Sequence, residues 1–500
     1  MTNRSIAIQI TLNGKATQLA CSAPTQTLLH ALNAAGHTGT KEGCGDGDCG
    51  ACTVAVLQVD AKGVTRAVAV NSCLLPTGQL SGANILTVEG LKALNNGALH
   101  PSQAVMVQYG GSQCGYCTPG FVMSLFAAFH SAEKKLDDAA VEGNLCRCTG
   151  YNSIRRAMAE LNDTPAFALA ALPVSSDQAS ESDPHAQPWL YRPTNLDAAL
   201  RLKQQQPQAQ WLAGATDLGL EFSRDAQHPK PLIAIDALVE LSQLKLTDGQ
   251  LEIGACVNLS RLQAALRGKN QSGDDNLSMH RSGALRGLYT MLHWFAATQV
   301  RNRATLGGNL GTASPISDLL PVMLALDAEI VLQRERGERS VEASNYFLDY
   351  RKTALLPDEL VRCVRIKLPV NSAADRPTTL TQSYKVGKRG SDDISIVAAC
   401  FLLELDAENV ITKARLAYGG IAAVPIRALA AETLLIGQSL SSNLSELVRP
   451  ALQDAFTPLS DFRGSADYRK QLIVNLFDKF LFEMRQTGAS GLDKAGAIHV

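Results

Sequence analysis

The chain has 500 residues, more than one compact domain holds, and at roughly 100 to 200 residues each this length predicts about three to five domains. The composition, 46% hydrophobic and 19% charged, is typical of a soluble globular protein, and no apolar run approaches the roughly 18 residues of a membrane span. Lysine plus arginine, 46, nearly balance aspartate plus glutamate, 47, so charge favours neither a nucleic acid nor a membrane surface as a partner.

Residues 1–86 are predicted to form a small sheet packed on a helix. Partial alternation up to Asn13-Gly14 is typical of a β-hairpin, and helical spacing that stops at Gly36 indicates a helix. The predicted elements are a hairpin over 5–12 and 16–21, a helix over 27–35, and strands over 53–59 and 66–70. Polar residues interrupt the first apolar stretch, so we predict no secretory signal and expect a cytoplasmic protein.

Residues 87–162 are predicted to form a second, all-helical domain with a buried apolar stretch at 121–130. The stretch 163–188 is rich in Ala, Ser, Asp and Pro without a period, which predicts a linker. Residues 189–370 and 379–488 are predicted to be two further domains that mix strands and helices. Their predicted strands are 211–213, 232–235, 251–253, 382–386, 394–405 and 411–418, and their predicted helices are 196–204, 259–266, a long one at 283–299, 426–436 and 444–455.

The cysteines are unevenly distributed, since nine of the twelve lie in the first 148 residues. Thiols stay reduced in the cytosol, where such a cluster indicates metal ligands more often than disulfides. Four cysteines fall outside the two sets described next and are expected to be small core residues: Cys21, Cys256, Cys363 and Cys400.

The first set is Cys44, Cys49 and Cys52, followed after twenty residues by Cys73. This spacing matches the plant-type ferredoxin pattern for a [2Fe–2S] cluster held by four thiolates. The glycines between the cysteines let the backbone fold round a compact core and bring N–H groups towards the sulfurs. The alternative is structural zinc, although zinc prefers two short Cys-x2–4-Cys knuckles. The same loop contains a G-x-G-x-x-G pattern, but it opens no βαβ unit and predicts no dinucleotide site.

The second set is Cys114 and Cys117, followed after twenty-eight residues by Cys146 and Cys148. Taken alone, this spacing fits several metals, and a zinc ribbon is the main alternative. Glycines frame both pairs, and the neighbouring redox domain favours a second electron-transfer centre over a structural ion.

Three segments together resemble the iron–sulfur half of the xanthine dehydrogenase and aldehyde oxidoreductase family of molybdenum hydroxylases. They are KEGCGDGDCGAC at 41–52, QCGYCTPG at 113–120 and GNLCRCTGY at 143–151. The resemblance implies a β-grasp ferredoxin domain and then a helical-bundle domain whose [2Fe–2S] cluster faces a molybdopterin cofactor. It also implies that Gln113 lies beside the pterin, whereas the residues alone leave Gln113 an ordinary loop residue.

Two glycine- and threonine-rich loops, WLAGATDL at 211–218 and TLGGNLGTASPISD at 305–318, carry the small residues and amide donors that a pyrophosphate needs. They fit neither the Rossmann nor the Walker pattern. Both resemble the FAD-binding segments of the same family. The fold that this implies is a multidomain α+β protein, with an α+β FAD-binding domain of the PCMH type and a C-terminal α/β sandwich domain.

The resemblance also implies which residues contact FAD, and it names no catalytic acid or base. In the first loop they are Trp211, Leu212, Ala213, Gly214, Ala215, Thr216, Asp217 and Leu218. In the second they are Thr305, Leu306, Gly307, Gly308 and Asn309, with Asp318 on the ribityl–adenosine part. Phe295 is expected to stack on the isoalloxazine ring, although core packing is the alternative, while Lys385 reaches the flavin and Val361 lies nearby.

The likeness covers about residues 5–162 and 189–480 and stops where full-length relatives continue into molybdenum domains, so we expect those domains on a separate polypeptide. It implies the small subunit of an NAD-dependent xanthine dehydrogenase, in a heterotetramer of two small and two large chains. Electrons from the partner's molybdopterin would pass through two [2Fe–2S] clusters to FAD and on to NAD⁺, as hypoxanthine and xanthine become urate. Two alternatives stay open: a partner that oxidises aldehydes, nicotinate or carbon monoxide, or a non-catalytic, zinc-stapled assembly scaffold.

Overall fold

The computed structural model divides into two compact units. It describes residues 6–60, 62–169, 190–225, 230–268, 277, 283–368, 378–389, 392–440 and 443–487. The first unit comprises Met1–Leu238 and Ala296–Ala304, and the second Val239–Phe295 and Thr305–Val500. From residue 170 onwards the predicted linker lies outside the described residues, and the four-domain boundaries stay a prediction. None of the helices in these ranges is both long enough and apolar enough to cross a bilayer.

The first sheet begins with the predicted hairpin. Its strands and helix are β1 (Ile6–Leu12), β2 (Lys15–Cys21), α1 (Leu28–Ala34), β3 (Thr53–Val59), β4 (Thr65–Asn71) and β5 (Asn84–Leu86). Positive φ angles at Asn13 and Gly14, 52° and 79°, form the tight turn, and Thr27 caps α1 by accepting the N–H of His30. The strand order is β2-β1-β5-β3-β4, in which the unpredicted β5 runs parallel to β1 and antiparallel to β3.

The helical part that follows confirms the predicted change to helices. It contains α2 (Leu91–Leu94), α3 (Pro101–Gln108), α4 (Thr118–Phe129), α5 (Asp138–Val141) and α6 (Asn152–Asp163). Helix α4 is apolar on nearly every face, and nine of its twelve residues are buried. It therefore forms the centre of an apolar core that also includes residues of α3 and α6.

A small parallel sheet follows the helical part in the first unit. Its elements are β6 (Leu190–Tyr191), α7 (Leu196–Gln205), β7 (Gln210–Leu212), α8 (Gly219–Arg224) and β8 (Leu232–Ala234). Strand β8 lies between β6 and β7 and is parallel to both. The first glycine loop connects β7 to α8 and so lies at the carboxyl end of a parallel strand, where α/β sheets commonly bind ligands.

The second unit begins with a five-stranded antiparallel sheet of order β12-β11-β15-β10-β9. The elements of this stretch are β9 (Leu244–Thr247), β10 (Gln250–Gly254), α9 (Leu259–Arg267), α10 (Arg286–Trp294), α11 (Thr298–Arg301), α12 (Leu306–Thr312), α13 (Leu320–Ala325), β11 (Glu329–Arg334), β12 (Gly337–Glu342), α14 (Ala343–Tyr346), β13 (Phe347–Asp349), β14 (Lys352–Thr353) and β15 (Leu360–Lys367). Helix α11 belongs to the first unit, because it lies within Ala296–Ala304.

The single long helix predicted over 283–299 is wrong, since α10 ends at Trp294 and the chain turns before α11. Ala296 adopts a left-handed conformation with φ 43°. Side chains donate hydrogen bonds to carbonyl groups that would accept backbone N–H groups in a continuous helix. The ammonium of Lys385 donates to the carbonyl of Trp294 at 3.0 Å, and the guanidinium of Arg301 donates to that of Ala296.

The last part is an antiparallel sheet of order β16-β17-β18-β19 with helices packed on it. Its elements are β16 (Thr378–Val386), β17 (Val397–Leu405), β18 (Ile411–Gly419), β19 (Ile426–Arg427), α15 (Leu429–Leu435), α16 (Leu444–Asp454) and α17 (Ala466–Thr487). Phe401 and Tyr418 of the sheet pack with Phe477 and Phe480 of α17. Helix α17 was not predicted from the sequence. Two predicted starts are wrong: β17 begins three residues after 394, and α15 begins after 426 because residues 426–427 pair with β18.

Candidate functional site

The loop that carries the first three cysteines directs backbone N–H groups at sulfur atoms. The N–H of Cys44 lies 3.3 Å from Sγ of Cys49, and the N–H of Cys49 lies 3.3 Å from Sγ of Cys44. The N–H of Asp46 is 3.5 Å from Sγ of Cys44. Gly45 and Gly47 have φ angles of 72° and 87°, which glycine adopts far more readily than other residues. The loop can therefore stabilise the negative charge of an iron–sulfur core.

The other two thiols of the first set form a buried pair. The sulfurs of Cys52 and Cys73 are 3.3 Å apart, and the two residues are 2% and 1% exposed. Across the described ranges, no three or more His, Cys, Asp or Glu side chains gather closely enough to hold one metal ion. The four thiols form two pairs, Cys44 with Cys49 and Cys52 with Cys73. A [2Fe–2S] cluster held by four cysteines has two irons, so one pair for each iron fits the cluster.

The second set lies at the start of α4 and before α6. The sulfur of Cys148 is 3.7 Å from that of Cys114 and 3.9 Å from that of Cys146. The hydroxyl of Tyr151 accepts the N–H of Cys146 at 2.9 Å and so holds the loop. Cys114 and Cys148 are exposed, whereas Cys146 is buried. This set therefore fits a cluster with one edge open to solvent.

Contacts between the thiols separate their pKa values. A hydrogen bond from Cys44 lowers the pKa of Cys49 to about 6, and the same bond raises the pKa of Cys44. A bond from the other thiol of its pair lowers the pKa of Cys52. Burial raises the pKa of Cys146, but hydrogen bonds from the following residues outweigh it and lower the pKa to about 7. Since the thiolate is the form that binds metal, each set offers one thiol, Cys49 or Cys146, whose pKa lies near neutral.

The two cysteine loops are hydrogen-bonded to each other. The N–H of Leu145 donates to the carbonyl of Cys49 at 3.0 Å, and Leu145 is joined by its peptide bond to Cys146. The loops meet at glycines, because a Cβ atom on Gly50 would lie only 2.1 Å from the carbonyl oxygen of Gly143. Cys49 of the first set is thus connected to Cys146 of the second through one hydrogen bond and the backbone of Leu145.

The first glycine loop lies next to the first cysteine set. Helix α8 starts at Gly219, where a Cβ atom would be 2.4 Å from the carbonyl oxygen of Leu74, the residue after Cys73. A cavity of about 10 Å³ beside the loop is lined by Asn71, Leu74, Leu75, Gly214, Thr216, Gln299, Val300 and Arg303. Of the expected FAD contacts in this loop, the buried or half-buried ones are Trp211, Leu212, Ala213, Gly214, Ala215, Thr216 and Leu218, and the exposed one is Asp217.

The second glycine loop forms the start of α12. The side-chain oxygen of Thr305 accepts the N–H of Gly308 at 3.0 Å, which caps the helix. The N–H of Gly307 donates to the carbonyl of Ala255 at 3.0 Å, and a Cβ atom on Gly307 would lie 2.5 Å from the Ala255 side chain. Both amides therefore already have partners within the protein, and a pyrophosphate that contacts them would replace these bonds.

Asp318 lies in a buried network that also includes Lys385. The Lys385 ammonium is 2.8 Å from Oδ2 of Asp318, and their side chains are 4% and 9% exposed. The hydroxyl of Ser395 donates to Oδ1 of Asp318, and Lys385 also bonds the carbonyl of Trp294, next to Phe295. The charge of Lys385 is therefore balanced by Asp318. Both residues were expected to contact the flavin, and the structure shows that they form an ion pair with each other.

The remaining expected site residues are dispersed. Leu306 is buried in α12, and Oδ1 of Asn309 accepts the hydroxyl of Ser317 at 2.7 Å. Val361 is buried on β15 at 6% exposure. Gln113 is exposed and adjoins Cys114.

Two polar residues that the sequence reasoning missed lie inside the networks that hold these sites. Gln299 is 2% exposed and lines the cavity beside the first glycine loop, and Ser395 is 1% exposed. Neither belongs to a cysteine or glycine motif. A lone glutamine or serine carries no spacing signal, so only its spatial neighbours identify it.

Four family models match the chain in succession. They are the 2Fe-2S iron-sulfur cluster binding domain at residues 10–76, the [2Fe-2S] binding domain at 87–159, the FAD binding domain in molybdopterin dehydrogenase at 183–370, and the CO dehydrogenase flavoprotein C-terminal domain at 382–484. Two iron–sulfur domains and an FAD-binding domain are therefore present. The predicted fold class, a multidomain α+β protein, is confirmed.

The chain is similar to xanthine dehydrogenases over almost its whole length. It is 32% identical to xanthine dehydrogenase 1 of Arabidopsis thaliana, over 91% of this chain and 38% of that protein. It is 31% identical to the xanthine dehydrogenase of Emericella nidulans, over 95% of this chain and 38% of that protein. The chain thus spans less than two fifths of the length of these relatives. A solved carbon monoxide dehydrogenase from Hydrogenophaga pseudoflava shares the fold, with a TM-score of 0.51 and 23% identity over 58% of this chain and 94% of that chain.

Proposed function

This chain belongs to the molybdenum hydroxylase family, and from this membership we propose that it is the electron-transfer subunit of a xanthine dehydrogenase. A partner subunit with molybdopterin would oxidise hypoxanthine and xanthine to urate, and the electrons would cross this chain to NAD⁺. When bound, two [2Fe–2S] clusters would transfer electrons one at a time. FAD would accept two such electrons singly and pass them on together as a hydride. This chain's part is to hold, bury and space these groups.

The observation that carries the proposal is the continuity of three sites within the first unit. The open edge of the second cysteine set has Cys114 and Cys148 at the surface. Its loop is hydrogen-bonded to the first set at Cys49, and the buried end of the first set, at Cys73, adjoins the first glycine loop. A path thus runs from the exposed edge of the second set, where we propose that the partner docks, to the first glycine loop, where we propose that FAD binds.

We propose the following residue roles. The metal ligands are Cys44, Cys49, Cys52 and Cys73 for one cluster and Cys114, Cys117, Cys146 and Cys148 for the other. The first glycine loop, residues 211–218, and the second, residues 305–309, hold FAD together with Phe295, Asp318, Val361 and Lys385. The Lys385–Asp318 pair holds the carbonyl before Phe295 and so orients the ring expected to stack on the flavin. No side chain is assigned as an acid or base, because hydride transfer to NAD⁺ needs none.

Burial and backbone donors are the chain's means of supporting these centres. The sulfurs of Cys52 and Cys73 are shielded from water, while the N–H groups near Cys44 and Cys49 point at sulfur. Hydrogen bonds to sulfur and solvent exposure are two factors that set the potential of an iron–sulfur cluster. We therefore infer that the two cysteine sets hold clusters of different potential.

We also propose the assembly. The partner is a molybdopterin-binding large subunit, in a heterotetramer of two small and two large chains, and it docks where Gln113 and Cys114 are exposed. Within this chain the proposed domains are 1–86, 87–162, a linker at 163–188, 189–370 and 379–488.

Metal and flavin analysis of the full chain tests the proposal. We expect about four irons and one FAD per chain, with the visible absorption of [2Fe–2S] clusters. Cys49→Ser and Cys146→Ser should each lose one cluster and abolish NAD⁺ reduction in the assembled enzyme, whereas Cys363→Ala, at a buried thiol outside both sets, should keep both clusters. A colourless, zinc-loaded chain would support the scaffold alternative and overturn the proposal.

The partner's substrate is tested separately. The co-purified large subunit is assayed with hypoxanthine, xanthine, an aldehyde, nicotinate and carbon monoxide, each with NAD⁺. Purine oxidation that reduces NAD⁺ supports the xanthine dehydrogenase assignment. Turnover of another substrate alone would place the same electron-transfer chain in a different member of the family.

A further inference from the structure

Gln299 lies where the two cysteine loops cross. Its side chain is 2% exposed, and its amide nitrogen reaches three oxygen atoms. These are Oγ of Ser124 at 3.1 Å, Oδ1 of Asn144 at 3.2 Å and Oγ1 of Thr53 at 3.4 Å. Thr53 follows the last cysteine of the first loop, Asn144 lies two residues before Cys146, and Ser124 is on α4.

All three oxygens face Gln299 as acceptors because their hydrogens are used elsewhere. The hydroxyl of Thr53 donates to the carbonyl of Gly50 at 2.7 Å, and the hydroxyl of Ser124 donates to Oδ1 of Asn144 at 2.7 Å. Oδ1 of Asn144 can only accept. The atom of Gln299 that meets them must therefore be the N–H₂ donor, and the orientation of the amide is fixed by its partners.

The carbonyl of Gly50 is the centre that this network stabilises. It accepts from Thr53 of its own loop and from Nδ2 of Asn144 at 3.0 Å. Gln299 thus contacts both residues whose side chains donate to the carbonyl of Gly50: Thr53 from the first cysteine loop and Asn144 from the second. The next residue after Asn144 donates to the carbonyl of Cys49, so the same residues set how closely the two loops approach.

Gln299 reaches this place from a distant part of the sequence. It lies in Ala296–Ala304, inside the stretch matched by the FAD-binding family model, yet this segment belongs to the first unit. Buried Arg301 bonds Glu142 at 2.6 Å, Thr298 donates to the carbonyl of Ala139 at 2.9 Å, and Asn302 donates to that of Ala69 at 2.8 Å. These contacts hold the segment, so the position of Gln299 is set independently of its own amide.

We propose that Gln299 is a positioning residue that fixes the spacing of the two clusters and hence the rate of electron transfer between them. The inference rests on the proposed function. In that transfer one electron leaves the centre held by Cys146 and its partners and one reaches the centre held by Cys49 and its partners, with no proton moved and no bond broken. The segment between Phe295 and Thr305, two residues expected to contact FAD, thereby also positions the iron–sulfur loops.

The test is low-temperature electron paramagnetic resonance of the fully reduced full-length chain, in which two nearby unpaired spins split each other's signals. Gln299→Met keeps the length of the side chain but removes the donor, and Gln299→Glu places acceptors against three acceptors. We expect both to change the splitting and to slow electron equilibration between the clusters on the order of 10- to 100-fold, the range by which activity falls when groups that orient the metal ligands are removed. Gln471→Met, the same substitution at an exposed glutamine of α17, should keep the wild-type splitting.

Wild-type splitting and equilibration in Gln299→Met would overturn the inference, as would an equal change in Gln471→Met. If Gln299→Met fails to retain iron, Ser124→Ala decides, because it removes one partner while Gln299 stays: changed splitting supports the proposal and unchanged splitting overturns it. Failure of the proposed function looks different, since the wild-type chain would then lack two clusters.

Discussion

A buried pair of histidines in the helical part of the first unit should make that part sensitive to acid. Nε2 of His100 lies 2.9 Å from Nε2 of His130, and the residues are 0% and 5% exposed. Nδ1 of His100 accepts the N–H of Ser102 at 3.1 Å, which caps α3, so we assign its proton to Nε2, where it donates to His130. Phe126 and Phe129 pack on the pair, and both rings are neutral in this arrangement.

The size of the effect follows from the pKa values. Burial lowers the pKa of His100 to about 3 and that of His130 to about 4, from an ordinary value of 6.5. Below pH 6.5 the unfolded chain binds protons that the folded chain does not, so the free energy of unfolding falls as the pH falls, until the folded pKa is reached. Between pH 7 and 5 the loss is about 2 kcal/mol for each histidine, or about 4 kcal/mol for the pair if they act independently.

Amide hydrogen exchange of peptides from α4, corrected for intrinsic rates, measures this local free energy at pH 7 and pH 5. The full chain unfolds in several parts, so a local probe is preferable to a global melting curve. We expect the double variant His100→Asn/His130→Leu, which keeps a capping side chain, to lose most of the pH dependence. His30→Gln, at a half-buried histidine elsewhere, is the control. Equal protection of α4 at the two pH values in the wild type would refute the reasoning.

Two further predictions concern the cofactor sites. Gly50→Ala places a Cβ atom 2.1 Å from the carbonyl of Gly143 at a φ of 63°, so the purified chain should lose iron, whereas Gly63→Ala, with φ 75° but no atom within 4 Å, should keep it. Iron-to-protein ratios decide, and full iron content in Gly50→Ala would contradict the structure. Ser395→Ala leaves Oδ1 of buried Asp318 without this donor, a cost of about 1 to 3 kcal/mol in stability, and should weaken FAD binding in a fluorescence titration because Asp318 is then held less firmly. Ser395→Thr keeps the hydroxyl and is the control; equal affinity of the two variants would sink this prediction.

Much of the local structure could be predicted because its signals are short in sequence. The turn at Asn13-Gly14 and the cap at Thr27 each need only a few neighbouring residues, and both elements form where predicted. The long helix over 283–299 failed for the opposite reason. At its break the carbonyl of Trp294 accepts from the ammonium of Lys385, ninety-one residues away, and no local pattern reports such a contact.

The candidate site shows the same division. The cysteine spacing alone indicates two sets of ligands, but it does not give the pairing of Cys114 with Cys148 or the exposure of that pair. Gln299 contacts residues 155 to 246 positions earlier in the chain, and nothing in its own neighbourhood in the sequence marks it. Burial and approach between distant loops are properties of the folded chain, so they required the structure.

The glycines where the two cysteine loops cross show that close contact between the loops nevertheless leaves a trace in the sequence. Gly50 has a positive φ, which by itself accounts for a glycine, but neither Gly120 nor Gly143 does. A Cβ atom on Gly120 would lie 2.2 Å from the carbonyl oxygen of Gly50, and one on Gly143 would lie 2.4 Å from Oε1 of Gln299. These two glycines are therefore required by contact between loops rather than by turns. Each cysteine motif thus carries residues that serve the other, which is expected if the two centres must be held at one fixed spacing.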